Sequence, residues 1–72
     1  MAEITVRSEL NAIVWKIEVA PGGAVAEGDN LIILESMKME IPVVAPAAGK
    51  LLELRVKEGD MVNEGDVVAV TA

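Results

Sequence analysis

The segment Met37-Lys38-Met39 holds the side chain best suited to chemistry in this sequence, a primary amine between two thioethers. Such an amine can be acylated to an amide, but as an ammonium it is a poor nucleophile toward a free carboxylate and needs an activated acyl group. The common alternatives are missing. With no Cys and no His, the chain has no thiol nucleophile, none of the usual zinc ligands, and no Ser-His or Cys-His arrangement. Closely spaced carboxylates occur at Glu27 and Asp29 and at Glu64 and Asp66, but no nearby residue type supplies a partner acid or a metal set. They sit beside glycines and read as solvated turn positions. The sequence therefore assigns no catalytic residue and no metal ligand.

The setting of Lys38 is unusual on two counts. It is the sole basic residue between Lys16 and Lys50, a span that carries Glu18, Glu27, Asp29, Glu35 and Glu40. It also falls at the boundary between two strand-like runs, Leu31 to Glu35 and Met39 to Val44, which need a chain reversal at Met37-Lys38-Met39 to pair as a hairpin. Short hairpin turns favour Asn, Asp and Gly. Methionine ordinarily fills irregular gaps in a core, which would leave Lys38 as a plain solvated charge. Long apolar residues at a turn break a local rule, however, and such breaks mark functional sites.

The elements that position this segment show an internal repeat. An offset of 37 lays residues 11–35 over 48–72 without a gap, with Val19, Gly22, Val25, Glu27, Gly28 and Asp29 matched by Val56, Gly59, Val62, Glu64, Gly65 and Asp66. On this alignment the connector Ser36 to Ala47 lies outside the repeat. In each half apolar residues alternate, Trp15, Ile17 and Val19 in the first and Leu52, Leu54 and Val56 in the second, which is the signature of half-buried strands. Each strand leads through a glycine turn, a short stretch at Val25 or Val62 and a Glu-Gly-Asp turn into a second strand, Leu31 to Glu35 or Val67 to Thr71. Gly22, Gly28, Gly59 and Gly65 are expected to supply positive φ. Ile4 to Arg7 adds a strand at the front, and no window reads as a helix. The expectation is one all-β domain over residues 1–72, a sandwich or barrel. If a two-fold relates the halves, the hairpin and the chain ends fall at equivalent positions, with Lys38 far from both termini.

Composition narrows the partners. Twelve acidic residues against six basic give a net charge of −6, and Trp15 is the one aromatic, so neither a basic track for phosphates nor a stacking surface for bases exists. No apolar stretch approaches a membrane span, and Met1-Ala2-Glu3 lacks the basic start of a secretory signal. Nucleic acid and membrane are thus not expected partners, and a cytoplasmic location is expected.

The stretch Glu35-Ser36-Met37-Lys38-Met39-Glu40 resembles the attachment motif of biotin carboxyl carrier domains, in which the lysine between two methionines is acylated by biotin. The resemblance covers nearly the whole chain: the family's paired Gly-Asp turns match Gly28-Asp29 and Gly65-Asp66, and its Ala-Pro-x-x-Gly stretch matches Ala45-Pro46-Ala47-Ala48-Gly49. It is strongest to the small free-standing biotin/lipoyl attachment proteins. It implies the biotinyl/lipoyl fold, a flattened β-barrel or barrel-sandwich hybrid of two sheets with a pseudo-two-fold, and the lysine at a hairpin tip. It further implies covalent biotin on Lys38, recognition flanks at Met37 and Met39, and Glu35, Ser36 and Glu40 as hairpin neighbours. The implied role is a carrier without an active site of its own. Biotin protein ligase would load it, and the arm would move a carboxyl group between biotin carboxylase and carboxyltransferase sites on other chains. Lipoate on Lys38 is the alternative cofactor, although lipoyl domains usually place an acidic residue where this chain has Met37; an unmodified interaction module of the same fold is the third reading. Two departures stand out: the family's Pro-Met-Pro-Gly stretch is replaced by Glu9-Leu10-Asn11-Ala12, and the gapless repeat leaves no room for the protruding thumb of certain bacterial carriers.

Overall fold

Alternating apolar residues and closely spaced glycine turns favour short strands over helices, and every regular element is a strand in the computed structural model, which describes residues 3–72. In chain order these are β1 (Ile4–Arg7), β2 (Ala12–Ile17), β3 (Ala24–Val25), β4 (Asn30–Ser36), β5 (Met39–Val44), β6 (Gly49–Leu54), β7 (Met61–Val62) and β8 (Val67–Thr71). They form two antiparallel four-stranded sheets, ordered β1-β8-β6-β3 and β5-β4-β2-β7. The inner faces enclose an aliphatic core in which Leu31, Ile32, Leu34, Leu51 and Val68 are fully buried. Burial of each such side chain contributes about 1.5–3 kcal/mol, the main term available to a chain without disulfides.

The strand registers follow the offset of 37 throughout. Ile4 pairs with Thr71 as Ile41 pairs with Leu34, and Val6 with Ala69 as Val43 with Ile32, so β1 and β5 are counterparts. This corrects the expectation that Ser36 to Ala47 lies outside the repeat. The equivalence of β5 escaped the alignment because the matches Glu3/Glu40, Ile4/Ile41 and Val6/Val43 are cut off from the rest by the dissimilar stretches Arg7-Ser8-Glu9-Leu10 and Val44-Ala45-Pro46-Ala47. Ser36 and Met37 alone have no counterpart at this offset.

The inward-facing residues of β2 and β6 also differ from the simple alternation. Register shifts lie between Val14 and Lys16 and, at the equivalent place, between Leu51 and Glu53. Each inserts one residue and reverses which side faces in. Val14 and Leu51 are therefore buried, while Trp15 and Leu52 are 49 % and 42 % exposed. The expected inward placement of Trp15 and Leu52 is thus wrong, although Ile17 and Leu54, beyond the shifts, pack against the core.

Four turns bind the halves together, each with a hydrogen bond from its fourth N–H to its first carbonyl: Gly23 to Ala20, Asp29 to Ala26, Asp60 to Lys57 and Asp66 to Asn63, all at 3.0 Å. Their third residues, Gly22, Gly28, Gly59 and Gly65, have φ of 92°, 87°, 93° and 90°, which makes these type II turns. Gly28 N–H donates to the Ala45 carbonyl at 2.9 Å, as Gly65 N–H does to Ser8 at 2.8 Å. The Asp29 and Asp66 carboxylates close their own turns by accepting from the Ala26 and Asn63 N–H groups at 2.9 and 2.8 Å. Glu27, Asp29, Glu64 and Asp66 are all exposed, in line with solvated turn positions, and the two aspartates in addition serve the backbone.

Candidate functional site

The β4–β5 hairpin is the support for Lys38. Its pairing runs from Asn30 and Val44 out to Ser36 and Met39, so Met37 and Lys38 alone form the loop. Met39, at the edge of the reversal, is the first residue of β5, in line with the strand-like run Met39 to Val44. A two-residue link between antiparallel strands favours a type I′ turn, whose two central residues both need positive φ. Met37 and Lys38 comply, at 52° and 66°, and they are the non-glycine residues of the described chain with positive φ. For residues with a Cβ this conformation costs roughly 1–2 kcal/mol each.

Nothing in the domain offsets that cost through packing. Met37 is 92 % exposed and Met39 64 %, which rules out the role of core filler for both. Lys38 is exposed as well. The ion pairs among the described residues, Lys16–Glu18 at 3.4 Å and Arg55–Glu53, do not include it. Below the tip, Glu35 and Glu40 stand directly opposite each other across β4 and β5. Like charges so placed are mildly destabilising. Glu35 and Glu40 are exposed, and Ser36 is half-buried. All six residues singled out by the sequence therefore meet at one hairpin end. Three features there oppose stability, and together they present a free amine on a rigid two-stranded base. A primary amine held clear of its own surface can be acylated, and a partner can dock on the protruding outline.

Two further residues at this end were not found from the sequence. Ile13 of β2 pairs with Glu35 on one side and with Met61 of β7 on the other, so a row Glu40, Glu35, Ile13, Met61 crosses the second sheet. Ile13 is 45 % exposed and Met61 80 %. With Met37 they border a shallow groove of about 330 Å³, whose polar margin includes Asn11, Ser36 and Asn63. The equivalent pair in the other half is Lys50 and Ala24. Comparing aligned repeat positions for a change of character, Ile13 against Lys50 and Met61 against Ala24, is the signal that would have found them.

Comparisons with known proteins agree with this geometry. A family profile described as "Biotin-requiring enzyme" matches residues 2–71. A biotin/lipoyl attachment protein of Bacillus subtilis is 48 % identical over 65 residues, covering 90 % of this chain and 89 % of its own length. A biotinylated protein TB7.3 homolog of Mycobacterium leprae is 47 % identical over 70 residues, 97 % of each chain. Among solved structures, the urea carboxylase of Kluyveromyces lactis superposes with a TM-score of 0.94 at 40 % identity, covering all of this chain and 6 % of that much longer one.

Proposed function

Because the chain belongs to the biotin/lipoyl attachment family, we propose that it is a biotin carboxyl carrier, loaded on Lys38 and serving carboxylase active sites on other chains. The observation that carries this reading is the exposed lysine in a strained two-residue turn beside two exposed methionines. The residues fit the group: an amine free of ion pairs among the described residues can form an amide, and Met37, where lipoyl domains usually have an acid, favours biotin over lipoate.

In loading, the Lys38 amine, having lost a proton to solvent or to the ligase, attacks the acyl carbon of an activated biotinyl adenylate. The amide C–N bond forms, the acyl–phosphate bond breaks and AMP leaves. When bound, the group supplies a ureido nitrogen that takes up and gives back a carboxyl group. This chain's residues tether and present it: β4 and β5 hold the tip at a fixed distance from the core, and the tether keeps the local concentration of the group high at a docked active site. Biotin protein ligase, biotin carboxylase and carboxyltransferase are the partners of this reading, and the chain itself contributes no catalytic group.

The test is intact mass after incubation with biotin protein ligase, ATP and biotin, in parallel with lipoate and its ligase. One biotin adduct, absent in Lys38→Arg, is expected. An adduct surviving in Lys38→Arg would move the site elsewhere, a lipoyl adduct alone would make this a lipoyl carrier, and no adduct in either reaction would leave an interaction module.

A further inference from the structure

We propose that Met37 is a site of reversible oxidation to the sulfoxide, and that the sulfoxide bars loading of Lys38. The inference rests on the attachment reading above and adds to it a control by peroxide. Three observations carry it.

The first is where the sulfur lies. Methionine ordinarily fills gaps in a core, yet Met37, Met39 and Met61, the methionines of the described chain, are 92 %, 64 % and 80 % exposed. They also gather at one end of the domain: Met37 and Met39 flank Lys38, and Met61 borders the same groove as Met37. The chain has no Cys, so among the described residues these thioethers are the sulfur that a peroxide can reach.

The second is that the fold does not depend on them. The core is built from Val, Ile, Leu and Ala, and none of the three methionines belongs to it. A sulfoxide disrupts a core because it turns an apolar side chain into a polar one. At Met37 the added oxygen stays in water, so the oxidised chain remains folded and the change can be undone. Hydrogen peroxide transfers one oxygen atom to the Met37 Sδ: the O–O bond breaks, an S–O bond forms, the sulfur loses two electrons and the peroxide becomes water. Sulfoxide reductases reverse the step with a dithiol, which ends as a disulfide while the oxygen leaves as water.

The third is the geometry of the tip. Met37 and Lys38 make up the whole loop of a hairpin that is paired up to Ser36 and Met39, so the backbone cannot carry the two side chains apart. An enzyme that closes on the Lys38 amine must also cover Met37. A thioether gives up its water readily, whereas a sulfoxide oxygen is a strong acceptor that loses hydrogen bonds to water when covered. Met61 differs in place, since it lies on β7, which β2 separates from β4. Its sulfoxide stands to the side of the tip and serves as a control within the same molecule.

The experiment treats the full chain with hydrogen peroxide until mass shows a mixture of oxidised and unoxidised molecules. The mixture is loaded briefly with biotin protein ligase, ATP and biotin, then divided on streptavidin. Peptide mapping gives the sulfoxide fraction at each methionine in the captured and uncaptured chains. Met37 sulfoxide is expected to be about tenfold scarcer among captured chains, as follows when a polar group is covered without a partner, and Met61 sulfoxide equally frequent in both. Methionine sulfoxide reductases A and B, one for each epimer, should restore loading of the uncaptured chains, and the urea midpoint should be the same before and after oxidation. Equal Met37 sulfoxide in the two pools overturns the switch and leaves the attachment reading intact. Equal depletion of Met61 sulfoxide, a lowered urea midpoint, or chains that stay unloadable after reduction also overturn it, since each makes oxidation a general injury. An unoxidised chain that takes no adduct overturns both.

Discussion

The glycine turns and the hairpin tip ask the same thing of the backbone and receive opposite residues. At Gly28 and Gly65 the chain needs φ near 90°, and a Cβ added there would meet nothing within 4 Å, so the glycine is present for its backbone alone. At Met37 and Lys38 the chain again needs positive φ, yet both residues carry long side chains that touch solvent. The first region is chosen for folding and the second against it. Strain, exposed apolar surface and an opposed pair of carboxylates are gathered in four consecutive turn positions and their neighbours, and such local departures from folding rules are the expected mark of a functional site.

Substitutions that exchange the two solutions sharpen this contrast. Gly28→Val and Gly65→Val put a β-branched residue at positive φ, and each should lower stability by about 1–3 kcal/mol in urea unfolding. The two losses should be alike, because the turns are equivalent; a loss in one alone would break the equivalence. Giving the tip its preferred residues, Met37→Asn with Lys38→Gly, should act in the opposite direction. Unfolding is expected to shift to higher urea by about 1 kcal/mol, with attachment abolished. Destabilisation by that pair would mean that the tip supports the fold. A smaller gain, about 0.2–1 kcal/mol, is expected for Glu40→Lys, which turns the opposed carboxylates into an opposite-charge pair; the same variant measured at high salt should lose much of the gain. The smallest effect belongs to Lys38→Ala, which keeps the turn and removes an exposed side chain, and its urea midpoint should correspond to a change within about 0.5 kcal/mol.

Much of this architecture was legible along the chain. Glycine spacing disclosed the duplicated turns, period-two alternation disclosed strands, and Met37-Lys38-Met39 stood out because turn chemistry is local: a residue's φ preference is decided by its own Cβ. Local rules carry no information about an inserted residue whose neighbours pair with residues 17 to 20 positions away. Trp15 and Leu52 were therefore assigned to the wrong face, since the bulges that turn them outward exist only in the pairing of β2 with β4 and of β6 with β8.

The same limit governs the site. That Lys38 is the amine at an ill-suited turn follows from residue types and their order, which the covalent chain alone determines. That Met37 and Met39 are bare, that Glu35 faces Glu40, and that Ile13 and Met61 lie beside the tip are consequences of β2, β4, β5 and β7 becoming neighbours in one sheet. Met61 is 23 positions from Lys38 along the chain. Its place near the tip depends on burial of Val14, Leu34 and Val62 from three different strands in one core, and hydrophobic burial is a property of the assembled whole, not of any segment.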